Sequence, residues 1–291
     1  MSWRVVVVSN CAKLELKTSY LVIRTEADIK KIHLSEISVL IIESTAVSIT
    51  AALLCELTKN RIKVIFCDEK RNPQTELVSF YGSHDTSLKI RHQINWKDVT
   101  KQQVWTEIIR EKISNQYRLL RDLGCEEMKL LEQYIQELQF NDSTNREGHA
   151  AKVYFNSIFG KSFTRTHDNP INAGLNYGYA IILSVFNREI VAGGYITQLG
   201  LFHDNMFNEF NLSCDLMEPF RQLIDRKILS MEYDELGHDE KIQILSVLND
   251  EVKIDGKLQY VSNAIRIYCK SVLDALNEND ISLIRFMEYE L

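Results

Sequence analysis

The sequence predicts an α+β protein, a small β-sandwich-like domain over residues 1–82 followed by a larger all-α domain over residues 83–291. Two observations carry this. The first eighty residues alternate short β-branched runs with polar breaks, and after them the apolar spacing turns helical and stays helical nearly to the end. The strands expected are Arg4 to Val8, Lys13 to Leu16, Tyr20 to Arg24, Ser38 to Ile42, Lys63 to Phe66 and Glu76 to Tyr81, mostly antiparallel, with one helix over Ser48 to Lys59. Gly82-Ser-His-Asp85 reads as the hinge between the parts. Beyond it, Lys101 to Leu123 and Glu126 to Phe140 read as long amphipathic helices, and Asn141-Asp-Ser-Thr144 punctuates the chain before a helix headed by Glu147. Asn172 to Val191 is apolar nearly all round and carries Gly174 and Gly178 four apart, the mark of a central helix closely approached by a neighbour. Leu216, Met217, Phe220, Leu223, Ile224 and Ile228 form an apolar stripe at helical spacing. Glu251 to Tyr260 reads as a hairpin around Asp255-Gly256, and Val261 to Leu276 as a last amphipathic helix.

Composition bounds the function. With 291 residues and 45% apolar composition the chain can bury a full core, and its few prolines and lack of repeats exclude disordered and solenoid architectures. The formal charge of -6 argues against a protein coated in cation for indiscriminate nucleic-acid binding. That charge is uneven: residues 86–165 hold thirteen Lys/Arg against ten Asp/Glu, and residues 201–291 hold nine against eighteen. Phosphate contact is therefore expected in the middle, with residues 230–291 turned toward protein partners. Six scattered cysteines, without a C-x-x-C pair, suggest neither a disulfide framework nor a zinc site. The N-terminal apolar run is too short for a secretory signal, and Glu43 and Glu56 interrupt the stretch from Ile37 to Leu57, so the expected compartment is cytoplasmic, with no membrane partner.

Three separated polar residues carry the chemistry: Glu147, His203 and Glu218. Two carboxylates and an imidazole from different elements suit a hard or borderline divalent cation acting on phosphate. Each also has a plainer reading. Thr144-x-x-Glu147 fits a capping box, in which the glutamate only satisfies a helix N-terminus. Its helix face, with Ala151, Tyr154 and Ile158 below it, instead suggests a carboxylate packed among other helices and in want of a partner. His203 emerges from an apolar segment into a loop, where a histidine is commonly a hydrogen-bonded bystander. Asp215 and Glu218 lie one turn apart, as on the acidic face of a surface helix, although Pro219 favours a helix start at Glu218. Lys89, Arg91, His92, Lys97 and Lys101, with Trp96 and Trp105 nearby, are candidate phosphate contacts, the tryptophans being read as core. Lys152, Lys161 and Arg165 flank the Glu147 helix and are stronger candidates.

In order and context these segments resemble the CRISPR-associated integrase of spacer acquisition, the Cas-one family. The likeness rests on Arg146-Glu-Gly-x-Ala-Ala-x-x-Tyr154, Asn172-x-x-Leu-Asn-Tyr-Gly-Tyr-Ala180, Leu199-Gly-Leu-x-His203 and Asp215-Leu-Met-Glu-Pro-Phe-Arg221, and spans essentially the whole chain. The Met-Glu-Pro-Phe-Arg wording looks most like the type II-A branch. The resemblance implies a DNA integrase and endonuclease in which Glu147, His203 and Glu218 hold Mg2+ or Mn2+, and a DNA 3'-hydroxyl or water attacks a phosphodiester. Many relatives carry Asp where this chain has Glu218. Asp215 is implied as an outer or accessory ligand, and Arg146, Lys152, Asn176 and Tyr177 as residues shaping the site. Implied partners are double-stranded DNA (protospacer fragment and CRISPR repeat) and a second copy of the chain, the N-terminal domain serving dimerisation. Others are a second small CRISPR protein and, in type II-A systems, a DNA-end-binding adaptation protein and the RNA-guided effector nuclease. A non-catalytic DNA-binding or assembly subunit is the competing reading, and an unrelated metal-dependent phosphoesterase a third.

Overall fold

The computed structural model describes residues 4–79 and 83–288. The N-terminal part holds β1 (Arg4–Val8), β2 (Ala12–Lys17), β3 (Tyr20–Arg24), β4 (Ile29–His33), β5 (Ile37–Ile42), β6 (Val47–Ile49), α1 (Ala51–Lys59), β7 (Lys63–Cys67) and β8 (Pro73–Leu77). They form two four-stranded sheets, ordered β1-β5-β7-β8 and β4-β3-β2-β6. The expected sandwich is there, and β2–β3, β3–β4 and β7–β8 pair antiparallel as expected, but the sheets are mixed rather than mostly antiparallel. β1, β5 and β7 run parallel, as do β2 and β6. The reason is α1, a crossover helix that returns the chain to the same edge and so places β7 parallel to β5.

All six residues of β5 are buried. A strand covered on both faces reads as a continuous apolar run rather than an alternating one. Leu40, Ile42 and Val64 face the sandwich interior with Leu14, Leu21, Leu53 and Leu57. Val39, Ile41, Ile65 and Cys67 face the other way and join the core of the helical part. The two parts therefore share apolar surface through this sheet. The sixth expected strand, Glu76 to Tyr81, lies instead over β8, and its residues Phe80 and Tyr81, with the hinge residue Gly82, fall outside the described residues.

The remainder holds α2 (Thr86–Ile94), α3 (Asp98–Asp122), α4 (Met128–Glu137), α5 (Arg146–Phe159), α6 (Pro170–Ala192), α7 (Asn211–Met217), α8 (Arg221–Leu229), α9 (His238–Leu245), β9 (Glu251–Ile254), β10 (Lys257–Tyr260), α10 (Val261–Glu278) and β11 (Met287–Glu288). The expected hairpin is β9–β10, and β11 adds a third strand to it. This part is thus mainly helical, not all-α. Among the described residues no helix is long and apolar enough to cross a membrane, and the six cysteines are free thiols.

α6 is the central helix. Asn169 caps it by accepting from the Asn172 backbone N–H at 2.8 Å, and Pro170 takes its first position, where the missing N–H costs nothing. The two spaced glycines let α8 and the loop after it close on α6. A methyl at Gly178 would meet Ile224 Cγ2 at 2.4 Å, and one at Gly174 would meet the Tyr233 hydroxyl at 2.2 Å. That close approach brings the α7–α8 junction, and Glu218 with it, against α3.

Candidate active site

Four parts of the chain bring the site together. α3, 25 residues long, contributes Lys112, Asn115 and Trp105. α5 contributes Glu147 at its N-terminus, and the α7–α8 junction contributes Glu218. The segment 193–210, between α6 and α7, carries His203.

Glu147 is not a capping residue. The N-cap of α5 is Asn145, in left-handed conformation (φ 52°), and its side chain accepts from the Gly148 N–H. Asp142 takes two more first-turn donors, from Arg146 N at 2.7 Å and Glu147 N at 3.0 Å. Thr144 Oγ1 is buried with no partner, which removes the expected capping box. With the helix end satisfied by Asn145 and Asp142, the Glu147 carboxylate is free to face α3.

Glu218 is not on a solvated face either. It and Asp215 are 3% and 0% exposed. Glu218, Pro219 and Phe220 form a single 3-10 turn that joins α7 to α8, and Asn115 Nδ2 donates to the Pro219 carbonyl at 3.0 Å, pinning that turn to α3. Arg221 Nε donates to Glu218 Oε2 at 2.9 Å. Burial opposes the charge on Glu218, but Arg221 and Lys112 outweigh it and hold the carboxyl down at about 2.

The two glutamates meet on one cation. Lys112 Nζ lies 2.5 Å from Glu147 Oε1 and 2.5 Å from Glu218 Oε2. Burial disfavours its charge, but Glu218 and Glu147 together raise the ammonium above its ordinary value. Lys112 is the site residue that sequence reading missed. Its only signal is its place on the buried face of α3, with Ile108, Ile109, Asn115 and Gln116 among its buried neighbours on that helix.

His203 is held by Asp215. Its Nδ1 lies 2.5 Å from Asp215 Oδ1, so Nδ1 carries the proton and the Nε2 lone pair is left for another partner. Asp215 also accepts the backbone N–H groups of Leu201 (2.6 Å), Phe202 (3.1 Å) and His203 (3.2 Å). All four bonds fall on one carboxylate, which leaves it the orienter of His203 rather than a direct ligand. Gly200 permits the approach, since a methyl there would meet Asp215 Oδ2 at 2.8 Å. Asp215 raises the imidazole above its ordinary value against the opposing effect of burial, and the charges of Glu218 and Glu147 add to the rise. Trp105, read as core and fully buried, also stacks on Phe202 at 4.6 Å and meets the His203 ring edge-on at 5.8 Å.

The accessory residues divide. Asn176 accepts from Arg165 at 2.6 Å, and Arg165 lies over one side of the Tyr179 ring system that Arg221 also contacts, at 5.4 and 4.6 Å. Asn176 is thus linked to Arg221 by a chain of contacts through Arg165 and the Tyr179 ring. Lys152 is exposed on α5. Arg146 points away, to Glu137 at 2.7 Å and over the Tyr134 ring, so it fastens α5 to α4. Tyr177 also points away. Its ring lies under Lys241, and Glu43 and the buried Cys67 thiol, at the ends of β5 and β7, are its neighbours on that side. On α6 it is two residues from Tyr179, which turns the two rings to different sides. Of the earlier basic stretch, Lys89 and Lys101 are paired with Asp85 and Asp98, while Arg91, His92 and Lys97 are exposed.

Among the described residues no three His, Cys, Asp or Glu side chains close on a single point. Glu147 and Glu218 do share one, and Lys112 holds a positive charge there. By type the donors suit a divalent cation: two carboxylates on a common point, and an imidazole within reach of their charges whose other nitrogen is committed to Asp215.

Comparison with known proteins places the chain in a family. Residues 5–239 match the model of the family described as "CRISPR associated protein Cas1". A protein named CRISPR-associated endonuclease Cas1, from Neisseria meningitidis serogroup C (strain 8013), is 34% identical over 232 residues, covering 79% of this chain and 76% of its own. Two solved structures share the fold at 17% identity. A casposase bound to its integration product superposes with a TM-score of 0.76 over 97% of this chain and 92% of its own. A chain of a Cas6-RT-Cas1–Cas2 complex gives 0.71 over 97% of this chain, which spans only 36% of that longer one. The extent of the family match and the 34% identity over most of both chains make this protein a member of the CRISPR-associated Cas1 family.

Proposed function

We propose that this chain is a metal-dependent DNA integrase and endonuclease of CRISPR adaptation, joining the 3'-hydroxyl ends of short DNA fragments into a repeat array. The observation that carries the reading is the convergence of Glu147 and Glu218, from separate elements, on one cationic point next to an oriented His203. Glu147, Glu218 and the Nε2 of His203 would hold Mg2+ or Mn2+. When bound, such an ion polarises the scissile phosphate and stabilises the attacking and leaving oxygens of an in-line displacement. The chain's own residues prepare the site. Asp142 and Asn145 free Glu147 from capping, Arg221 keeps Glu218 ionised, and Asp215 fixes the tautomer and direction of His203. In strand transfer a bond forms from the fragment's 3'-oxygen to phosphorus, and the target strand's own 3'-oxygen leaves with a proton. One phosphodiester replaces another, so no energy source is required. Water in place of the 3'-hydroxyl gives nuclease activity.

The 1–82 and 83–291 division is part of this proposal, with the first unit serving homodimerisation and the second catalysis. So is duplex DNA as substrate, and so is a small second CRISPR protein as partner, the place that Cas2 takes in the structurally similar Cas6-RT-Cas1–Cas2 complex. The type II-A assignment rests on the Met217-Glu-Pro-Phe-Arg221 wording, and brings with it the DNA-end-binding protein and the RNA-guided nuclease. The site of action is the cytoplasm.

One observation favours the alternative of a non-catalytic assembly subunit: Lys112 already bridges both carboxylates, as in a structural ion pair. Strand transfer of a 3'-hydroxyl fragment into a repeat-bearing duplex, with the small partner protein present, separates the two. Transfer is expected with Mn2+ or Mg2+, lost with a chelator, and lost in His203→Ala while duplex binding persists. Transfer that survives both treatments would overturn the metal-dependent reading.

A further inference from the structure

Lys112 and a divalent cation compete for the same oxygens. The ammonium makes contacts of 2.5 Å to Glu147 Oε1 and 2.5 Å to Glu218 Oε2, from a side chain only 10% exposed. A cation coordinated by those carboxylates needs the same lone pairs. Without Lys112 the buried Glu218 carboxylate and the half-buried Glu147 carboxylate would face each other with the charge of Glu147 unmatched, since Arg221 is committed to Glu218 and to the Tyr179 ring. We infer that Lys112 is a resident counter-ion, displaced when the divalent cation enters, and that its displaced ammonium then binds a phosphate of the DNA strand in the site. Metal binding and DNA binding thereby reinforce each other. The inference rests on the assignment of Glu147, His203 and Glu218 to the metal.

The displaced ammonium has a reach and a need. Its four-carbon stem swings by rotation about side-chain bonds, so the charge relocates without any movement of α3. Buried and stripped of its two carboxylates, it requires another anion. The neighbouring carboxylates are taken. Asp215 accepts from Leu201, Phe202 and His203, Asp142 from the first turn of α5, and Glu111 pairs with Arg118 at 2.7 Å. The phosphate presented for reaction next to Glu147 and Glu218 is the anion that completes the site. By linkage, a phosphate that stabilises the displaced lysine must tighten the metal by the same factor by which the metal tightens the DNA.

The test measures Mn2+ affinity by titration calorimetry on the full chain, with and without a short duplex carrying 3'-overhangs. It compares wild type, Lys112→Met and Lys112→Gln, and records the melting temperature of each in chelator and in Mn2+. In wild type the duplex is expected to tighten Mn2+ about tenfold. Without DNA both variants are expected to bind Mn2+ about tenfold tighter than wild type, because no ammonium must be expelled. Both should show less tightening by DNA than wild type, the remainder being the ion's own contact with the phosphate, and both should melt lower in chelator with recovery in Mn2+. Lys112→Gln keeps a hydrogen-bond donor at the site and carries the test if Lys112→Met does not fold. Equal Mn2+ affinity in all three, or tightening by DNA as large in the variants as in wild type, overturns the inference and leaves the metal reading standing. Failure of wild type and variants alike to bind Mn2+ overturns the metal reading, and this inference with it.

Discussion

Glu147→Gln is expected to reduce strand transfer by about 10^3-fold while the melting temperature and duplex affinity, both measured in chelator, stay close to wild type. The substitution keeps volume and removes one ionisable ligand. A bound metal contributes several kcal/mol of transition-state charge stabilisation, and about 4 kcal/mol corresponds to about 10^3 in rate. Stability should change little, because the α5 N-terminus is satisfied by Asn145 and Asp142 and Lys112 keeps Glu218 as its anion when the Glu147 charge is lost. Glu218 is the contrasting case. It is buried and shared by Arg221 and Lys112, so its removal disturbs folding as well as chemistry and reads less cleanly. Gel analysis of the branched product, alongside thermal unfolding of Glu147→Gln, checks the expectation. Wild-type transfer in this variant would remove Glu147 from the site.

Asp215→Asn is expected to lose on both counts. The carboxylate accepts three backbone N–H groups and the His203 Nδ1 proton while fully buried. An amide offers one oxygen in place of two, and its own NH2 then faces backbone donors. Loss of charge-assisted bonds of this kind costs about 3 kcal/mol, and loss of a residue that orients a ligand costs about 10–100-fold in metal affinity or activity. Denaturant unfolding should show the first and strand transfer the second. The His203 imidazole, raised chiefly by Asp215, should also titrate at lower pH, which NMR of its ring protons reads. A variant with wild-type stability and an unchanged His203 titration would show that Asp215 does not hold this loop.

Much of the fold was legible because its signals are local. β1, β3 and β5 stand out as β-branched runs, and α6 announces both its cap and its glycines. β4 was hidden by the lysines of Ile29-Lys-Lys-Ile-His33, which suit an edge strand but break its apolar pattern. β6 is only three residues, and was absorbed into the helix that follows it. The parallel pairing was not legible, since local pattern carries no information about strand neighbours. At the site, residue types marked Glu147, His203 and Glu218, but partners decided their roles. Thr144 looked like a cap until Asn145, in a left-handed conformation, took that place. Arg146 lies next to Glu147 in sequence and faces α4. Lys112 is one of several lysines on an amphipathic region, and only the packing of α3 against α5 and the α7–α8 junction shows which one enters the site.

The central claim is that Glu147, His203 and Glu218 hold one divalent cation. Anomalous diffraction from crystals grown with MnCl2 tests it most directly. The prediction is a single strong peak bonded to oxygens of Glu147 and Glu218 and to Nε2 of His203, with the Lys112 ammonium withdrawn from both carboxylates. Lys112 still bridging Glu147 and Glu218 in saturating Mn2+, with no peak at His203, would contradict it.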